Sequence, residues 1–151
     1  MSDLVSKKAM LELSVLVGKP VDFGQVAGQG RRFVPILGGT VTGDYAGTIV
    51  PGGADWQRIG PNGMLELEAR YALLLGEATV EIRADGLRSG SPEALARLAS
   101  GTFLPASDYY FRTAMRFYTS SPELAHLNSL IAIGVGERLP SEVRIYVHRV
   151  L

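Results

Sequence analysis

One acid and the chain's single tryptophan stand directly behind a glycine pair in Pro51-Gly52-Gly53-Ala54-Asp55-Trp56-Gln57. Paired glycines free the backbone to present side chains. Asp55 is therefore a candidate general base or hydrogen-bond acceptor, with Trp56 as an apolar wall. The same residues also suit a plain turn, with Asp55 capping it and Trp56 plugging a core. A second group comes from the alternation of Tyr109–Tyr118, which puts Tyr110, Arg112, Arg116 and Tyr118 on one face. Phenols and guanidinium groups can hold a carbonyl, enolate or carboxylate oxygen, and a tyrosine can donate a proton. Tyr110 and Arg112 are assigned to such a site, Tyr110 as proton donor, whereas Arg116 and Tyr118 are assigned to packing.

Two further arginines depend on direction. Arg70 lies on the polar face of Met64–Leu75. Pointing inward it would be desolvated and would have to meet a carboxylate or an anionic ligand. Pointing outward it would only pair with Glu66, Glu68 or a cross-strand acid. The inward orientation is expected. Arg88, in Gly86-Leu87-Arg88-Ser89-Gly90, is either aimed across a cavity entrance as a substrate contact or simply solvated.

Other chemistries lack their residues. With no cysteine, thiolate nucleophiles, disulfides, Cys-ligated zinc and iron–sulfur clusters are excluded. His126 and His148 are too few and too scattered for a His-based metal site or triad, and no metal or cofactor is expected. No phosphate-binding glycine loop, dinucleotide fingerprint or His-Glu-x-x-His motif occurs. Gly86–Gly90 misses the nucleophile elbow by one position of its serine. Fifteen basic residues balance fifteen acidic ones without a basic cluster, which argues against a nucleic-acid partner. The Lys7-Lys8 start superficially resembles a signal peptide, but Glu12 interrupts the apolar stretch and no cleavage motif follows. No run of 18 apolar residues occurs. A cytoplasmic protein with no membrane partner is expected.

The elements that must position these residues follow from punctuation and alternation. Eighteen glycines and eight prolines cut 151 residues into short runs, as in a single all-β domain. The strands are expected at Ala9–Val17, Val21–Gln25, Arg32–Thr42, Tyr45–Val50, Met64–Leu75, Thr79–Asp85, Tyr109–Thr119, Leu130–Gly136 and Val143–Val150. Ser91–Gly101 has a serine cap, a proline at the first helical position and a closing glycine, which predicts a helix. Ser121–Leu127 repeats the Ser-Pro-Glu opening and predicts a shorter one. The whole suggests one antiparallel β-barrel of about eight strands, wide enough for one small ligand.

Arg32–Ile36 with Gly38-Gly39-Thr40-Val41 and Gly43, Pro51–Trp56, Ala69-Arg70-Tyr71, Gly86-Leu87-Arg88, Tyr109–Thr113 and Gly134–Arg138 together resemble domain-of-unknown-function family 3237. The likeness runs from about Leu11 to Val150. It implies a small β-barrel similar to those of allene oxide cyclase and dirigent proteins. It also implies, by analogy with relatives associated with cofactor-free ring closure, a cyclase or isomerase.

Two functions compete. In the first, an apolar cavity orients a small oxygenated molecule while Asp55 moves a proton and Arg70, Arg112 or Tyr110 stabilises developing charge. That predicts Asp55 within hydrogen-bond reach of Tyr110 or an arginine in a cavity of about 300 Å³ or more. In the second, a binding barrel carries or sequesters an acidic or aromatic metabolite, and Asp55 is held in the Gly52-Gly53 turn. A third reading has the polar interior side chains simply satisfy one another, with apolar outer faces making oligomer contacts, and a homodimer or larger closed assembly is expected.

Overall fold

The alternation in Leu65–Leu75 decides which way the sheet faces. Leu65, Leu67, Ala69, Tyr71, Leu73 and Leu75 are buried, whereas Glu68 and Arg70 are exposed. The apolar row is inside because burying it removes that row from water, and the period of two leaves the charged row outside. The computed structural model describes residues 3–151. Its strands are β1 (Leu11–Val17), β2 (Val21–Val26), β3 (Gln29–Gly43), β4 (Gly47–Ile59), β5 (Leu65–Leu75), β6 (Ala78–Ser89), β7 (Tyr110–Tyr118), β8 (Ala132–Arg138) and β9 (Glu142–Arg149). One helix, α1 (Pro92–Ala99), joins β6 to β7, and Ser91 caps it by accepting from the Ala94 amide at 3.1 Å. The expected second helix is a 3₁₀ segment, Pro122–Ser129.

The sheet runs β1-β9-β8-β7-β6-β5-β4-β3, and β3 returns to β1, which closes an eight-stranded antiparallel barrel. β2 is the ninth strand. β1 and β2 both lie along β3: β1 pairs with Ile36–Gly43, and β2 with Gln29–Phe33. Between them, the Gly18 amide donates to the Pro35 carbonyl at 2.9 Å. The β2–β3 hairpin therefore projects as a lip beyond the closed part of the barrel.

Several strands run further than the sequence suggested, β4 and β6 the furthest beyond their expected ends. β4 continues through Gly52-Gly53, where its register against β5 shifts between Val50 and Ala54. Gly52 has φ +113°, and a Cβ on Gly53 would lie 2.6 Å from the Arg70 carbonyl oxygen. The glycine pair is thus a bulge pressed against β5, which leaves Asp55 and Trp56 in a strand rather than a loop. β6 likewise passes through Gly86, whose Cβ would lie 2.1 Å from the Arg112 carbonyl oxygen. Glycine here is a packing requirement, and Arg88 becomes a strand residue.

One apolar cluster fills the barrel, with Leu73, Val80, Ile82, Met115, Phe117, Ala132 and Val147 fully buried. No helix among the described residues is long and apolar enough to cross a membrane.

Candidate functional site

Three strands end their inward rows on an arginine at the same end of the barrel. On β3, Arg32 is in step with Val34 and Ile36; on β6, Arg88 is in step with Val80, Ile82 and Ala84. On β8, Arg138 follows Ala132, Gly134 and Gly136. β4 supplies the partners by register, with Gln57 opposite Arg32 and Asp55 opposite Val34. Both Arg88 and Asp55 are half-buried.

These side chains surround a cavity of about 390 Å³, with Leu67, Phe111 and Val143 as its apolar wall. Beneath it, an apolar recess of about 50 Å³ lies between Ile36, Ala69, Tyr71, Thr113 and Ile145, and Asp55 lines both spaces. A third compartment of about 350 Å³ lies against α1 and shares Arg32, Arg88 and Arg138 with the first. Arg138 ties this end together: its side chain donates to the Leu98 carbonyl of α1, and its amide donates to the Tyr109 hydroxyl at 2.8 Å. A wider groove of about 920 Å³ at another part of the surface, beside Tyr45, Leu75 and Leu124, carries Asp44, Glu77 and Glu123. It has no buried unpartnered polar atom, so size alone does not make it the better site.

The polar contacts form a short chain. Arg32 Nε donates to Gln57 Oε1 at 2.7 Å, and Gln57 Nε2 donates to Asp55 Oδ2 at 2.9 Å. Among the described residues, three buried side-chain atoms have no hydrogen-bond partner: Asp55 Oδ1, Arg88 Nε and Thr113 Oγ1. All three residues line one or other of the two connected spaces. Buried polar atoms are ordinarily paired, so three exceptions lining these two spaces single out this end of the barrel as the candidate site.

Burial lifts the Asp55 carboxyl to about 6, against the Gln57 donor and the charges of Arg32 and Arg88, which pull it down. Burial likewise pushes Arg88 down to about 10, helped by Arg138 and Arg32 and opposed by Tyr109 and Asp55. Arg32 is lowered mainly by burial and then by Arg138, with Asp22 and Asp55 opposing. The Tyr71 phenol is raised by burial and secondarily by Asp55, which keeps it protonated. The arrangement thus places a carboxyl that titrates near neutrality beside guanidinium groups and a phenol that holds its proton.

Of the six residues chosen from sequence, Asp55 and Arg88 meet in this cavity and four do not. Trp56 is 50% exposed on the outer face, its ring 4.7 Å from that of Phe33 and stacked at 6.2 Å on Phe23. It is neither a cavity wall nor a core plug. Arg70 points outward and pairs with Glu81 at 2.6 Å, correcting the inward orientation. Tyr110 is also outward and 50% exposed, with the Arg112 guanidinium 5.1 Å above its ring and bonded to the Phe111 carbonyl. The cause is shared: these residues occupy the polar rows, and the interior takes the apolar ones. Asp55 is hydrogen-bonded to Gln57 rather than to Tyr110 or an arginine, and it is not held in a turn. Arg32, Gln57, Tyr71 and Arg138 were missed. The signal that finds them is parity with buried neighbours along each strand, read beyond where the apolar run stops.

Comparison with known proteins gives the same barrel. A UPF0311 protein of Rhodopseudomonas palustris is 35% identical over 153 residues, covering all of both chains. The crystal structure of a Rhodopseudomonas palustris protein of unknown function superposes with a TM-score of 0.91 at 35% identity over the whole of both chains. A β-barrel-like protein of Acinetobacter baumannii gives 0.83 at 31% identity, covering 99% of this chain and 98% of its own. An enzyme from Penicillium herquei gives 0.69 at 17% identity over 97% of each chain, a likeness of fold. The profile of the family described as "protein of unknown function (DUF3237)" matches residues 6–150, and this chain belongs to that family.

Proposed function

We propose that this barrel catalyses proton transfer within a small oxygenated organic molecule, as an isomerase or cyclase does. One observation carries the proposal: Asp55 Oδ1 and Arg88 Nε are both buried and without a protein partner at the same cavity. An acceptor that titrates near neutrality stands with a cationic donor, the pairing that enolisation or intramolecular addition needs. Asp55 removes a proton from carbon or hydroxyl, and the electron pair moves onto a carbonyl oxygen that Arg88 neutralises. The proton returns to another atom of the same molecule, so no co-reactant is consumed. Tyr71, which burial keeps protonated, lines the recess with Asp55 and serves as a hydrogen-bond donor that retains its proton, in place of the proton donor expected at Tyr110. The Penicillium herquei neighbour is described as an enzyme, and at 17% identity it lends the fold alone.

A binding barrel is the second reading. It is favoured by the excess of arginines over acids at the cavity, since an anion clamp needs no proton chemistry. The test is a thermal-shift and native-mass-spectrometry screen of small carboxylates, phenols and unsaturated alcohols, with product analysis of each hit in deuterium oxide. Deuterium incorporation or a rearranged product in the wild type, lost in Asp55→Asn while binding persists, is the expected result. Hits that bind both proteins equally and give no product would overturn catalysis and leave the carrier.

A further inference from the structure

We infer that the ligand is a small amphipathic monocarboxylate, bound head-out on Arg88 with its apolar body directed past Asp55 into the recess. The inference deepens the proton-transfer reading, but binding alone does not require it. Charge is the first argument. The chain as a whole is neutral, yet Lys19, Arg32, Arg88 and Arg138 line the cavity against the single acid Asp55. Asp22, the other acid whose charge acts on Arg32, accepts from the Gly24 amide at 2.7 Å. Arg32 and Arg88 are desolvated with the Arg138 charge close by, a costly arrangement unless an anion neutralises them.

Geometry is the second argument. Arg32 Nε is already bound to Gln57 and Arg138 is bound to Leu98, whereas Arg88 Nε has no protein acceptor. A planar carboxylate can take two parallel bonds from one guanidinium edge. The head is a single carboxylate because one guanidinium edge is left unengaged, Arg32 and Arg138 each having a protein acceptor already. Below the head, Leu67, Phe111 and Val143 line the wall, and the recess has room for roughly three to five water-sized groups. Its lining is apolar apart from Asp55, Thr113 and the Tyr71 hydroxyl, which suits a short hydrocarbon body with one oxygen near Thr113 Oγ1.

The test is calorimetric titration of the full chain with cyclohexanecarboxylate, its neutral isostere cyclohexanecarboxamide, acetate and inorganic phosphate. Saturable binding of cyclohexanecarboxylate, tighter than each of the other three by about tenfold or more, is expected. Arg88→Met should lose about tenfold or more of that affinity, and Arg70→Met, on the outer face, should lose none. Equal binding of carboxylate and amide by the wild type would overturn the inference without reference to any variant. So would phosphate binding more tightly than the carboxylate, no binding at all, or full affinity in a folded Arg88→Met protein. The two readings separate in Asp55→Asn, which removes a negative charge and should keep or tighten carboxylate binding. Carboxylate binding with no turnover from any hit would sink proton transfer and leave this inference standing. Turnover of neutral molecules with no preference for carboxylates would do the reverse.

Discussion

Gln57 Nε2 reaches Asp55 Oδ2 at 2.9 Å from two residues further along the same inward row of β4, and it leaves Oδ1 buried without a hydrogen-bond partner. One carboxylate oxygen is thereby fixed by the protein and the other is left without a protein donor. Gln57 in turn accepts from Arg32, so a single amide orients both an acid and a base.

Removing that donor should therefore raise the proton affinity of Asp55. Burial already holds the carboxyl at about 6, and the Gln57 bond is the largest influence opposing it. In Gln57→Leu the charged form loses its hydrogen bond, so titration moves further up. Carbon-detected NMR titration of labelled aspartate should show the Asp55 resonance inflecting above the wild-type position. An unchanged or lower inflection would mean that the amide does not stabilise the carboxylate.

The same carboxyl makes a prediction about stability. Its folded-state value, about 6, lies above the unfolded value of 3.8, so between these pH values the native state binds more protons than the unfolded chain. Stability contributed by this group is thus greatest below about pH 4, falls as pH rises towards 6, and stays reduced above it. Asp55→Asn should be more stable than the wild type at pH 7.5 by about 2 kcal/mol, with the difference vanishing at pH 4. Paired thermal melts at the two pH values check this. A variant less stable than the wild type at pH 7.5 would contradict it.

The position of Trp56 fixes a third outcome. Its ring lies on the outer face against Phe33 and Phe23, so Trp56→Ala should cost about 1 kcal/mol and leave the cavity intact. Phe117, which is wholly buried, sets the contrast: Phe117→Ala should cost about 3–5 kcal/mol. Chemical denaturation of both variants separates them, and similar losses would show that Trp56 supports the core.

The barrel was legible because its evidence is local. Leu65–Tyr71 alternates apolar with charged residues, and Ser91-Pro92-Glu93 announces a helix start through its own chemistry. The site was legible only where a residue type was unusual, as with Asp55 behind its glycines. Gly53 and Gly86 looked like loop residues, although each is needed where two strands approach too closely for a Cβ. Ending the strands at Val50 and Asp85 placed Asp55 and Arg88 in loops and hid their common inward direction. The opposite error put Arg70, Tyr110 and Arg112 inside: polar residues attract attention as chemistry, while burial selects the apolar row. Arg32 and Arg138 have no unusual neighbours in sequence. They become a pair only when β3 and β8 are brought round the closed barrel to one end.

The projecting lip has a consequence for how this protein meets copies of itself. A closed cylinder offers no unpaired backbone, but β2 is bonded on one side alone and exposed along its whole length, with Val21, Phe23 and Val26 on it. Such a strand is a template for another chain to add to. Here the template is spoiled from within. The register breaks between Asp22 and Gly24, Gly24 takes φ +79°, and Asp22 occupies its amide. The free side of β2 therefore lacks the regular spacing of donors and acceptors that a foreign strand would have to match.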